Sequence, residues 1–148
     1  MSSGIETVDL IGPWIYRTLS ADEQLRAVVG DRISDTLAPG TLTPPYLTYN
    51  LASNVTRAAA AGGPRLWVEA IYDVRIISRT ASWTGPIATG AKRIDELLGG
   101  PGGVGVFADV PGGRVESQRD RLIQQAELTQ ALQHRQLGAR FRILAYSL

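Results

Sequence analysis

The sequence predicts an α+β fold: a mostly antiparallel β-sheet with an N-terminal helical segment and a second helix packed on one face. Three patterns carry that prediction. Apolar residues recur at spacings of three and four over residues 5–29 and again over 82–98, the stripe of an amphipathic helix. Between them, residues 66–78 sort by parity into two faces, the period-two signature of a strand.

In the first segment Ile5, Val8, Ile11, Ile15 and Leu19 form the stripe. Pro13 lies inside it and removes one hydrogen bond, so it either kinks the helix or marks its true start. Ser20-Ala21-Asp22-Glu23 has the order of a capping box, serine first and glutamate three residues on. It predicts a second short helix with Leu25, Val28 and Val29 inward and Gly30 as a left-handed cap. Residues 31–45 are expected to be irregular, because Pro39, Pro44 and Pro45 block both helix and central strand. A strand is predicted from Tyr46 to Thr56, followed by a flexible Ala- and Gly-rich hairpin connection over 57–64.

Residues 66–78 are the clearest strand. Leu66, Val68, Ala70, Tyr72, Val74 and Ile76 share one face; Trp67, Glu69, Ile71, Asp73, Arg75 and Ile77 share the other. The helix over 82–98 lines up Trp83, Ile87, Ala91, Ile94 and Leu98, and Gly99-Gly100-Pro101 stops it. Val104 to Val110 reads as a short strand and Pro111-Gly112-Gly113 as a turn. Residues 116–136 favour helix by propensity, yet Leu122, Ile123, Ala126, Leu128 and Leu132 hold no clean face. Residues 140–146 alternate again, as a terminal strand. With no internal repeat and no dividing linker, residues 1–148 are expected to form a single domain.

Composition excludes more chemistry than it suggests. The chain has no cysteine and one histidine, His134. A disulfide framework, a thiolate metal site, a cysteine nucleophile and a histidine cluster are therefore ruled out. A net charge of +1 gives no strong field for nucleic acid or an anionic membrane. That charge is uneven: residues 1–113 hold 9 basic and 11 acidic side chains (−2), and residues 114–148 hold 6 and 3 (+3). The N-terminus has no basic region followed by an apolar run, and no stretch has the length of a membrane span. A soluble, intracellular protein is the expectation.

The candidate chemical motifs favour structural readings. Gly99 to Gly105 is glycine-rich, but a phosphate loop needs Lys-Ser/Thr opening a helix, and a strand follows here. His134 stands among polar residues with no nucleophile signature, so an ordinary surface or pairing role is expected. Asp22-Glu23 and Asp95-Glu96 are neighbours pointing roughly 100° apart on a helix, hence solvated surface rather than a convergent acid–base pair. The tail arginines lack the interleaved aromatics of a single-strand binder and are read as inter-subunit ion pairs or solvated charge.

The second face of the 66–78 strand is the informative feature. Two helical stripes can cover one side of the sheet, which leaves Trp67, Ile71 and Ile77 in need of cover by a loop, the C-terminal tail or another subunit. A tryptophan alone buries on the order of 150–250 Å², and with two isoleucines the patch outgrows what monomers usually expose. A subunit interface is therefore the preferred reading, built on Trp67, Ile71 and Ile77 with Arg75, Arg140 and Arg142.

The order of elements also resembles a known family. A helix ends in Val29-Gly30-Asp31-Arg32-Ile33, and Ala38-Pro39-Gly40 leads to Pro45-Tyr46-Leu47 and Tyr49. A long strand, a helix and a late strand with Gln136-Leu137-Gly138-Ala139-Arg140-Phe141-Arg142-Ile143 follow. This resembles the tail terminator (tail completion) proteins of long-tailed bacteriophages and related particles, over nearly the whole chain. The resemblance implies a virion protein at the head–tail junction, assembled in the host cytoplasm. It implies a homo-oligomeric, hexameric ring that ends polymerisation of the tail tube protein and meets a head–tail connector protein. It also implies no enzymatic activity, no cofactor, no membrane, and DNA passing through the lumen without sequence-specific binding. A head-closure or neck adaptor is the alternative within the same setting, and a ligand binder or enzyme using residues 99–105 the alternative outside it. By position, Pro45, Tyr46 and Tyr49 would shape the first sheet strand, Gly138 would permit a bend or bulge, and 114–129 and 131–147 would form long antiparallel strands against local propensity.

Overall fold

A computed structural model of the chain describes residues 5–36, 43–58, 65–79, 82–129 and 132–147. The Ala38-Pro39-Gly40 segment and most of the 57–64 connection lie outside the described residues. The elements run α1 (Ile5–Ser20), α2 (Glu23–Val29), β1 (Ile33–Asp35), β2 (Tyr46–Ala58), β3 (Arg65–Ser78), α3 (Pro86–Gly99), β4 (Val106–Val110), β5 (Gly113–Thr129) and β6 (Leu132–Ser147). They build one six-stranded sheet in the order β1-β2-β3-β6-β5-β4. Among the described residues, only β1 and β2 are parallel; every other pair is antiparallel. This is the α+β, mostly antiparallel architecture expected from the sequence.

Helices α1, α2 and α3 cover the same face. Ile11, Trp14, Ile15 and Leu19 of α1, Leu25 and Val29 of α2, and Ile87, Ile94 and Leu98 of α3 join a single cluster with Leu47, Ala70, Tyr72, Val74, Ile76, Phe141, Ile143 and Ala145. Each fully buried Leu, Ile or Phe contributes about 1.5–3 kcal/mol, so this layer is the dominant stabilising term. Val74 sits beside Tyr49 on one side and Ala139 on the other, while Tyr72 sits beside Phe141. The face chosen by parity in residues 66–78 is thus the core face.

Several local expectations are corrected. Pro13 is exposed inside α1 and does not mark its start. The cap of α2 is Asp22, not Ser20: the Leu25 N–H donates to Asp22 Oδ2 at 2.9 Å, while Ser20 closes α1 with its hydroxyl on the Arg17 carbonyl. Residues 33–35 form β1, because the Leu47 N–H reaches the Arg32 carbonyl and the Thr36 N–H reaches that of Tyr49. Trp83 lies ahead of α3, half-buried under the Arg135 guanidinium 4.7 Å from its ring centroid.

Within the helix-prone stretch 116–136, the residues up to Thr129 and from Leu132 onward are strand. Its ladder with β6 runs from Gly113–Ser147 to Thr129–Leu132. Pairing with the well-patterned β6 outweighs the propensity of Gln, Glu and Arg. Gly138 makes no bulge. The bulge lies in β5, between Arg119 and Arg121. Gly138 is instead a site of close approach: a Cβ there would meet the Val74 carbonyl and come within 2.6 Å of the Arg75 Cα.

Candidate subunit interface

Among the described residues, the opposite face of the sheet carries no helix. Its rows follow from the strand registers. Trp67 lies between Arg57 and the Tyr146 end of β6, and Ile71 lies between Ser53 and Arg142. Asp73 stands between Asn50 and Arg140, and Arg75 between Thr48 and Gly138.

Charge at the centre of this face is internally paired. Asp73 is 7% exposed. It accepts from Arg140 Nε at 2.7 Å and Nη2 at 3.1 Å, and from Arg75 Nη2 at 3.4 Å. The carboxylate beside it holds the Arg140 guanidinium above its ordinary pKa. Arg75 Nη1 also donates to Gln136 at 2.9 Å and to Gln125 at 3.4 Å. The bare backbone of Gly138, directly opposite Arg75, lets that guanidinium cross β6 to reach them. Arg142, beside Ile71, is exposed.

Toward the other end the face becomes aromatic and concave. The Trp67 and Tyr146 rings lie 6.2 Å apart at 49°. Tyr146 donates to Glu116 at 3.3 Å, and burial together with that carboxylate raises its pKa. Trp67, Glu69, Phe107, Glu116, Arg142 and Tyr146 line a cavity of about 600 Å³. Phe107 is 57% and Val104 79% exposed at its rim. Arg114 lies 4.5 Å over the Phe107 ring and pairs with Asp109.

Of the six residues assigned to an interface from sequence, all share this face. Trp67, Ile71 and Arg142 keep accessible surface; Arg75 and Arg140 are engaged with Asp73; Ile77 is 7% exposed in the single chain. Tyr146, Phe107 and Val104 belong to the same surface and were missed. The alternation of β6 placed Tyr146 on the face of Arg140 and Arg142, but only the register sets it against Trp67.

Glu23 is exposed as expected, but Asp22 and Asp95 are tied between elements. Asp22 accepts from Arg93 of α3 at 2.7 Å, and Arg93 also donates to Glu96 at 2.9 Å. Asp95 pairs with Arg119 of β5 at 3.0 Å. The glycine cluster folds on itself, the Gly103 N–H donating to Gly100 and the Gly105 N–H to Gly99. His134 lies opposite Glu127 in the hairpin ladder. Among the described residues, no His, Asp and Glu side chains gather as a metal site, and no helix is long and apolar enough to cross a membrane.

The described residues form a two-layer α+β arrangement with helices on one face of the sheet. No family model and no curated protein sequence matches the chain. Among solved structures, a chain of the virion of a native gene transfer agent particle shares the fold: TM-score 0.55, 19% identity, covering 94% of this chain and 98% of that one. A second solved chain matches with TM-score 0.60 and 16% identity, covering 95% and 98%. What these likenesses share with this chain is the fold.

Proposed function

We propose that this chain is a virion structural protein without enzymatic activity, forming a ring at the head-proximal end of a phage-type tail tube. The ring ends tube polymerisation and presents the surface that joins tail to head. The observation that carries this reading is a fold shared almost end to end with a chain of a gene transfer agent virion. The bare, half-exposed Trp67–Ile71 face supports it. The ring is a homo-oligomer, a hexamer in the family the sequence resembles, in which one surface of a subunit meets a different surface of the next and the rotation closes. The helix-free face, with Trp67, Ile71, Ile77, Arg75, Arg140 and Arg142, contributes to that contact. Its further partners are the tube protein and a connector protein, and DNA passes the lumen without sequence reading.

Electron microscopy of the purified protein mixed with isolated tail tubes tests the reading. Rings capping one end of each tube are the expected result. Binding to portal complexes but never to tubes would make the chain a neck adaptor. A nucleotide-dependent rise in melting temperature would point to a ligand binder. A chain that stays monomeric at every concentration overturns the ring.

A further inference from the structure

We infer that neighbouring subunits join edge to edge through two stepped sheet ends, with β4 of one copy lying along residues 50–58 of β2 in the next, and β1 of that next copy lying along residues 118–129 of β5. The inference rests on the ring reading and names the contact that closes it.

The registers define the steps. One end of the sheet is marked by Ala58, Arg65, Gly113 and Ser147, the other by Tyr46, Ser78, Thr129 and Leu132. β4 pairs with β5 only over residues 113–117, at the first end. β1 pairs with β2 only over 47–49, at the second. Among the described residues, β5 beyond Ser117 and β2 beyond Tyr49 therefore have no neighbour on their outer edges. The sheet is five strands wide at both ends, but offset by one strand. A copy moved sideways by rotation places its projecting β4 into the recess beside β2 of the next, and receives that copy's β1 in the recess beside its own β5. Strand directions make the first pairing parallel and the second antiparallel. Each recess presents unpaired backbone donors and acceptors at strand spacing, which is the chemistry of β-augmentation.

The side chains point the same way. Five large apolar residues are exposed among the described residues; Leu51, Phe107 and Leu122 stand on β2, β4 and β5, and Val104 just ahead of β4. Both recessed edges also begin at a bulge, at Leu51/Ser53 and at Arg119/Arg121. Bulged edges are poor templates for indiscriminate pairing, so they favour an occupant with a matching step. A second copy of this chain has that step. Trp67 and Ile71 lie one strand in from the β2 recess, so the edge joint brings β4 and Phe107 of the neighbour beside them.

The absence of cysteine makes the test clean. Ser53→Cys and Asp109→Cys place thiols on exposed positions of β2 and β4. The double variant, treated with a short bis-maleimide, is expected to give a ladder of covalent oligomers ending at the ring's full number, while either single variant gives none. Ser53→Cys paired with Lys92→Cys on α3 is expected to give no ladder. Rings visible by microscopy that do not crosslink in the double variant overturn the edge joint and leave the ring reading standing. Dimers from a single variant overturn it in favour of a two-fold contact. Failure of wild type to form any ring overturns both.

Discussion

Asp73 shows how one side chain organises the bare face. A carboxylate almost out of solvent is tolerated because two guanidiniums close over it, one of them bidentate. Asp73→Asn keeps the shape and removes the charge, so the Arg140 and Arg75 hydrogen bonds lose their ionic partner. The expected loss is about 1.5–3 kcal/mol in denaturant unfolding, the range for hydrogen bonds to charged groups. Asp109→Asn removes the exposed Arg114 pair and should cost about 0–1 kcal/mol. Equal costs would mean that the Asp73 cluster is no better than a surface pair. Gly138 gives a second residue-scale contrast. Gly138→Ala presses a methyl group against strand backbone, which cannot move aside; Gly90→Ala meets the tip of the Ile76 side chain, which can rotate. The first substitution should destabilise clearly more than the second, with overpacking costs of about 1–3 kcal/mol as the scale.

At the scale of elements, Asp22 joins three functions: it ends the α1–α2 turn, caps α2 and clamps α3 through Arg93. The Arg93 hydrogen bond, followed by the backbone bond from Leu25, outweighs burial and lowers the Asp22 pKa below its ordinary 3.8. The unfolded chain thus takes up this proton at a higher pH than the folded one. Stability from Asp22 is complete above the unfolded value and is lost as pH falls through the folded one. Asp22→Asn retains a capping oxygen but loses the clamp, so its unfolding midpoint should vary less with pH below about 4 than that of wild type. Identical acid slopes would remove Asp22 from the account.

The same elements show what was legible in the sequence. β3 and α3 were, because each buries one face and the burial period is written in Val68 to Ile76 and in Ile87, Ile94 and Leu98. The role of Asp22 was hidden because Ser20 and Glu23 imitate a capping box that starts two residues early. β1 was not legible, and β5 followed only from the family resemblance, which implied a strand over 114–129: a three-residue strand and a strand with exposed Gln118, Arg119, Arg121, Leu122 and Gln124 are specified by their neighbours. For the candidate site, parity assigned Trp67, Ile71 and Arg75 to the bare face, whereas Tyr146 and Phe107 needed inter-strand register, which no local pattern encodes.

At the scale of the whole molecule, the question is whether the bare face serves folding or assembly. Trp67 discriminates, because it is half-buried in one chain and has surface left to lose. Within the chain its ring meets Tyr146, a contact worth about 0.5–1.5 kcal/mol. If it also anchors a subunit contact, truncation removes a central aromatic of the kind that dominates interface energy. Trp67→Ala should then raise the protein concentration needed for half-assembly at least tenfold, since each factor of ten corresponds to about 1.4 kcal/mol. Leu98→Ala supplies the opposite case. Leu98 of α3 is fully buried, on the covered side of the sheet. Its loss should lower chain stability by about 2–5 kcal/mol while leaving the assembly concentration of the folded protein near that of wild type. The two effects are read separately, by denaturant unfolding of dilute monomer and by sedimentation across a concentration series. If Trp67→Ala assembles at the wild-type concentration, the helix-free face is not where subunits meet, and its aromatic end serves only the fold of a single chain.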